Sequence, residues 1–400
     1  MVEALSVLTS IAIVLLAGLI VTIISKRFRI SNVLLLIILG MLLKTIKYKG
    51  APIFDFSPTF LISISVLALV MITFDGTSRL TLKQVEKFST DSASIVMWFI
   101  IANILLLSVF TSLMFYPDFS FKHVIFSLIF AVIMAGTDPG AVFYMMKEKM
   151  TKVIGVLEIE SIINTPIIVL IPFILLDLLT AGNGHVVQSF IDQIIPFLRQ
   201  IIVGVGAGVV VGIIIFKAMK NVYHHQLSPM AIITAALLSY ILAENLGGNG
   251  VLSVATMGLF FGNIYVKRKL TLQEFSAIFS NALEILVFVL IGFLISVEFS
   301  FLFFIKSLIL FIILIVARWF AVTTALRKSS YKLREKIFMT LNIPKGIAVA
   351  VVIFSLSVRQ IAGMEIIINL ILLFMIYSLI ISSIIERYSK KFIKVELEDQ

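Results

Sequence analysis

Two short stretches of an otherwise apolar chain carry groups able to hold a cation and to pass a proton. Glu158-Ile159-Glu160-Ser161-Ile162-Ile163-Asn164-Thr165-Pro166 places Glu160 and Asn164 four apart, on one helix face, with Ser161 and Thr165 on the adjacent one. Together they form a strip of oxygen ligands suited to a hard cation such as sodium. Upstream, Ala135-Gly136-Thr137-Asp138-Pro139-Gly140-Ala141 sets a carboxylate beside a Pro/Gly interruption. Proline removes a ladder donor and glycine loosens the backbone, so Pro139 and Gly140 are expected to break this helix. Leu341-Asn342-Ile343-Pro344-Lys345-Gly346-Ile347 repeats the interruption at Pro344 and Gly346 with a cation, Lys345, inside it. The amide and carbonyl groups freed at such breaks can offset charges of either sign.

A charge in hydrocarbon costs about 3 kcal/mol on insertion scales, so each one calls for a partner or a task. Structural alternatives stand beside the functional ones. Glu160 and Lys345 are either members of a site or a buried ion pair that fixes packing. Glu284 and Arg318 read as a structural pair. Asp75 is either a carboxylate reached by a water-filled funnel or a helix-end charge in the headgroup layer. Glu158 lies off the strip, and His224 and His225 fall in a basic loop where solvation explains them. Asp138, midway along a long span and beside a break, is the hardest to assign to packing alone.

The elements that must position these groups are membrane helices. Of the 400 residues, 60% are apolar and 14% charged, too little polar surface to cover a water-soluble fold of this size. Apolar runs long enough to cross about 30 Å of hydrocarbon recur along the whole chain. They give thirteen spans, at 4–25, 31–46, 57–74, 92–115, 121–146, 153–180, 193–219, 227–245, 251–266, 274–296, 301–325, 335–358 and 364–385. Barrel-type alternation is lacking, so the spans are helical and the fold class is an all-α polytopic membrane protein. The first span has no basic leader before it and is read as retained.

Most of the 32 Lys and Arg fall in loops after odd-numbered spans, which sets the amino terminus outside and the carboxyl terminus in the cytoplasm. The formal charge of +10 is therefore a topology signal, and nucleic acid is not an expected partner. There is no cysteine, and no Gly-Lys-Ser phosphate loop points to an ATP-driven pump. No cofactor, resident metal or enzymatic nucleophile set is expected. With the seventh span as a linker, spans one to six and eight to thirteen form two inverted six-helix repeats. Both breaks then fall on the fifth helix of their half, the arrangement that marks a transporter site at mid-bilayer.

Thr137-Asp138-Pro139 followed by Glu160-Ser161-x-x-Asn164 resembles the paired motifs of the monovalent cation/proton antiporters, in their NhaP-type sodium/proton branch. Thr73-Phe74-Asp75-Gly76, Leu242-Ala243-Glu244-Asn245-Leu246-Gly247-Gly248 and Pro344-Lys345-Gly346 add to the likeness, which runs in order along the whole chain. The resemblance implies a homodimer in the cytoplasmic membrane. Helices 1–3 and 8–10 would form a static dimerisation part, and helices 4–6 and 11–13 an ion-transport core with crossed, discontinuous helices and an elevator-like motion. It implies that Asp75, Thr137, Ser161 and Asn164 contribute to cation or water coordination, and that Asp138 balances the unwound helix ends. Glu160 would pair with Lys345, the charge-compensating residue of the twelfth helix.

The chain departs from the pattern most sharply where the family has Asn-Asp and this chain has Asn164-Thr165; Lys345 and Asp75 stand where Arg and Glu are usual, milder changes. A threonine hydroxyl coordinates sodium but does not titrate near neutrality. The expected activity is exchange of Na+ (or Li+) for H+, serving cytoplasmic pH and sodium control, with the proton carried by Asp138 or Asp75. K+/H+ exchange, or an uncoupled cation leak or sensor, is the alternative.

Overall fold

The apolar runs fold as helices because hydrocarbon offers a backbone amide no partner outside its own segment. A computed structural model of the chain describes all residues except 1, 29–30, 49–50, 53, 55, 139–150, 181–185, 220–222, 296–299, 360 and 394–400. In order, the helices are α1 (Val2–Phe28), α2 (Asn32–Lys44), α3 (Pro58–Ser78), α4 (Leu82–Phe115), α5 (Phe121–Ile133), α6 (Lys152–Thr180) and α7 (Val186–Met219). They continue as α8 (Leu227–Asn245), α9 (Gly250–Asn263), α10 (Lys269–Leu294), α11 (Phe301–Ala325), α12a (Leu333–Leu341), α12b (Ile347–Val358) and α13 (Glu365–Arg387). A two-residue antiparallel bridge, Lys47–Tyr48 with Ala51–Pro52, lies between α2 and α3. Among the described residues nine helices are long and apolar enough to cross a membrane, and four shorter apolar helices (α2, α5, α9 and α12b) join them. The chain is a multi-pass, all-α membrane protein, and its helix order follows the thirteen spans of the sequence.

The differences lie at the ends, where polar residues hide helix from a hydropathy window. α4 begins ten residues before the expected span, at Leu82, because Lys83, Glu86, Lys87 and Asp91 are compatible with helix although not with hydrocarbon. For the same reason α7 begins at Val186, inside the stretch expected to be a polar loop. α3 runs on to Ser78, which puts Asp75 in its last turn. The expected span 121–146 is helical only to Ile133, and its remainder past 138 lies outside the described residues.

The chain divides into two compact units. The first takes Met1–Ile62, Phe88–Pro172 and Ile285–Gln400. Within it α13 packs against α2, α5, α11, α12a and α12b, and α11 packs against the π turn of α4 at Asn103–Leu107. α2 and α10 meet at Gly40 and Gly292, where a β-carbon on either would overlap the other helix's backbone, so only glycine permits the approach. The second unit takes Ser63–Lys87 and Phe173–Glu284. There α7, α8 and α9 form a three-helix group joined by a Ser239–Ser253 hydroxyl contact of 2.7 Å.

Candidate functional site

α5 ends before Asp138 and α12 is interrupted at Pro344, and the two non-helical stretches meet. α5 stops at Ile133 and passes through a turn at Met134–Ala135, closed by the Gly136 N–H donating to the Ile133 carbonyl at 3.1 Å; Thr137 and Asp138 follow as non-helical chain. α12 is interrupted from Asn342 to Gly346, between α12a and α12b. The Asp138 N–H donates to the Pro344 carbonyl at 2.8 Å, tying one break to the other. Pro139 and Gly140, expected to help make the first break, lie outside the described residues.

Charge of each sign sits where a helix end attracts it. The Lys345 ammonium, fully buried, donates to the carbonyls of Met134 and Gly136 at 2.7 Å each, at the negative end of α5. The Asp138 carboxylate occupies the space beside Gly346, the residue that leads into the first turn of α12b; a β-carbon at Gly346 would overlap it. An anion at this N-terminus and a cation at the other C-terminus thus replace the hydrogen bonds lost where the helices break.

α6 supplies the third wall. Glu160 and Asn164 are buried on its inward face, as their four-residue spacing requires. Asn164 Nδ2 donates to Thr137 Oγ1 at 2.9 Å, and that hydroxyl donates to Glu160 Oε1 at 3.2 Å. The Asn164 Oδ1 oxygen is buried without a hydrogen-bond partner among the described residues. Ser161 and Thr165 are only half-buried. Thr165 Oγ1 donates to the Ser161 carbonyl at 2.7 Å, so its proton is committed to its own helix.

The partner of Glu160 differs from expectation. Arg318 of α11 grips it through both terminal nitrogens, Nη1 to Oε1 at 2.5 Å and Nη2 to Oε2 at 2.7 Å, with both side chains fully buried. Its Nε donates to the Met339 carbonyl at 3.3 Å. The sequence reading paired Glu160 with Lys345 and Arg318 with Glu284, and both pairings are corrected. A guanidinium offers a planar fork that matches both carboxylate oxygens, whereas an ammonium is a point donor better suited to single carbonyls. Arg318 is thus a residue that the sequence marks as a buried charge but gives the wrong partner and no place in the site. The Phe99 ring of α4 lies 4.8 Å from Arg318 Cζ and 5.8 Å from Lys345 Nζ, a cation–π wall for both.

Thus Thr137, Asp138, Glu160, Asn164, Pro344, Lys345 and Gly346 form one cluster in the first unit. Asp75 belongs to the second unit, on α3, where it accepts a hydrogen bond from Arg79 at 2.9 Å. No group of three His, Asp or Glu side chains able to hold a metal ion occurs among the described residues.

A family model described as "Sodium/hydrogen exchanger, transmembrane" matches residues 11–387. The chain belongs to the sodium/hydrogen exchanger family. Among relatives of this family, the K(+)/H(+) antiporter NhaP2 of Shewanella sp. (strain ANA-3) is 27% identical over 243 residues, 60% of this chain and 41% of that protein. The low-affinity Na(+)/H(+) antiporter NhaS1 of Synechocystis sp. (strain ATCC 27184 / PCC 6803 / Kazusa) is 30% identical over 173 residues, 40% of this chain and 32% of that protein. The matched part of the chain thus spans about two-fifths or less of the length of these curated relatives. In fold the chain is similar to the sodium proton antiporter MjNhaP1 from Methanocaldococcus jannaschii, with a TM-score of 0.77 and 18% identity over 99% of this chain and 100% of that one. The fold is therefore shared over 99% of the chain.

Proposed function

We propose that this chain is a secondary antiporter that exchanges Na+, or Li+, for H+ across the cytoplasmic membrane. The observation that carries the reading is the meeting of two broken helices around Asp138, Lys345 and the Glu160–Arg318 pair. Such a crossing has oriented amides, carbonyls and carboxylates where a plain bundle has only hydrocarbon. Thr137, Ser161, Asn164 and Thr165 offer neutral oxygens toward the cation. Glu160 is clamped on both oxygens by Arg318, so the exchanging proton is assigned to Asp138.

When Asp138 is protonated, the cluster of Asp138, Glu160, Arg318 and Lys345 carries a net positive charge that repels a cation. When the proton leaves, the four charges sum to zero and a cation is admitted. Two ligands then compete for one site, which is the requirement of exchange. The protein acts as a homodimer, with helices 1–3 and 8–10 held static and helices 4–6 and 11–13 moving as the core. The contact between α13 and α2 is one that this motion must remake. The amino terminus faces outward and the carboxyl terminus the cytoplasm, in keeping with the loop charges.

A second reading, K+/H+ exchange, is favoured by the likeness to the K(+)/H(+) antiporter NhaP2. Everted vesicles given Na+, Li+ or K+ decide between them: the transported ion dissipates a preformed proton gradient. Ion flux without proton movement would mark an uncoupled leak. Asp138→Asn is expected to abolish the response, and a mutant equal to the parent removes Asp138 from the mechanism. Thr165→Asp is expected to shift the pH dependence of transport, because it adds a second titrating oxygen; an unchanged profile argues against relocation of the proton to Asp138.

A further inference from the structure

The π turn of α4 carries an asparagine that the cluster described above does not use. Asn103 is fully buried, and neither its Oδ1 nor its Nδ2 has a hydrogen-bond partner among the described residues. In Asn342, at the start of the α12 break, both amide atoms are likewise buried without a partner among the described residues, as is Asn164 Oδ1; Asn32 Oδ1 of α2 is the sixth such amide atom in the unit. Buried amides are ordinarily satisfied, and an apolar residue of the same shape would be more stable where no partner comes. A concentration of them beside the crossing calls for a ligand.

Position narrows what that ligand is. Asn103 lies four residues after Phe99, on the same face of α4, and the Phe99 ring is the wall under Arg318 and Lys345. The Ser108 N–H reaches back to the Asn103 carbonyl, the wide ring that defines a π turn, and such turns frequently accompany functional sites. This turn packs against α5, which carries the first break, and against α11, which carries Arg318. With Asp138 deprotonated, the four charges of the crossing cancel, so an entering cation finds no net attraction there. It must be held by oriented neutral dipoles that replace part of its hydration shell, as carbonyl oxygens do in selectivity filters.

We propose that Asn103 is a further cation-coordinating residue, whose amide oxygen, with those of Asn164 and Asn342, takes up a partly dehydrated monovalent alkali cation beside the crossed helices. This rests on the antiport reading and names neutral ligands where Thr165 supplies no carboxylate.

The test uses Asn103→Leu, which keeps the volume and removes the dipole, and Asn103→Asp, which keeps the shape and adds a charge. In proteoliposomes Asn103→Leu is expected to raise the half-saturating cation concentration roughly fivefold or more, the factor set by one lost polar ligand. Its maximal rate should stay close to the parent's. Asn103→Asp is expected to lower the half-saturating concentration. A purely structural asparagine predicts the opposite pattern, with both variants saturating like the parent and Asn103→Leu melting at the same or a higher temperature; that result overturns the assignment. Thermal unfolding of the detergent-purified chain in Na+, K+ or choline chloride at equal ionic strength separates this test from the antiport reading. A parent stabilised by an alkali cation over choline, with the gain lost in Asn103→Leu, supports the site even if no proton moves in vesicles. A parent indifferent to all three salts overturns it.

Discussion

Two carboxylate–arginine pairs among the described residues could hardly differ more in setting. Glu160 and Arg318 are fully buried, joined by two hydrogen bonds, and built into a network with Thr137, Asn164 and the Met339 carbonyl. Asp75 and Arg79 are joined by one contact of 2.9 Å between residues one helical turn apart, with side chains 20% and 46% exposed. The first pair connects α6 to α11 and exists only if the helices cross correctly. The second is a local feature of one helix end, supported by an Arg79 contact to the Gln273 carbonyl at 3.3 Å. Burial turns the same chemistry from a modest surface attraction into a structural commitment, because a charge left alone there has no water to return to.

Breaking the buried pair from one side should have the largest effect. Arg318→Met leaves Glu160 uncompensated and is expected to destabilise the fold by about 3–5 kcal/mol, seen as loss of folded, monodisperse protein. Removing both charges together, as Arg318→Met with Glu160→Gln, should recover most of that stability while leaving transport impaired. If the double variant is as unstable as the single one, the pair is not the unit that the geometry indicates.

Gly346→Ala sharpens the comparison from the side of function. Its β-carbon would overlap the Asp138 carboxylate, so Asp138 must leave the start of α12b. The expected outcome is a loss of cation-dependent proton movement of roughly tenfold, the equivalent of ~1.4 kcal/mol, with the chain still folded. Activity equal to the parent's would show that the carboxylate's place beside α12b is immaterial.

Arg79→Ala should change stability by no more than about 1 kcal/mol, and the difference should shrink further at high salt. A larger, salt-insensitive loss would mean that the exposed pair is structural after all.

The smallest effect is expected in the loop before α5. There a hydrogen bond from His123 is the chief reason that the exposed Asp118 carboxyl sits below its ordinary value of 3.8; the two side chains are 2.7 Å apart. A depressed carboxylate stabilises the folded state above its ordinary value, and that contribution is lost as pH falls through the lower, folded value. His123→Ala should therefore bring the Asp118 titration back toward 3.8, measurable from its carboxyl carbon signal, and alter stability above that pH but not in stronger acid.

Sequence alone determined what is local. Hydropathy located the membrane helices, since an uninterrupted apolar run in lipid has helix as its only open form. Proline and glycine located the α12 break at Asn342–Gly346, because a missing donor is a property of the residue itself. The four-residue spacing put Glu160 and Asn164 on one buried face. Polar helix ends, as at Leu82 and Val186, escaped because hydropathy reports lipid contact and not helix. Only the tertiary structure decided which cation meets which anion. Arg318 and Lys345 are both buried cations within reach of the same Phe99 ring, and nothing in their neighbouring residues separates their tasks. The crossing of α6 and α11 brought a two-pronged donor to a carboxylate, and the meeting of the two breaks brought a single ammonium to a pair of carbonyls. Such choices depend on distances between helices far apart in the chain, where local chemistry is silent.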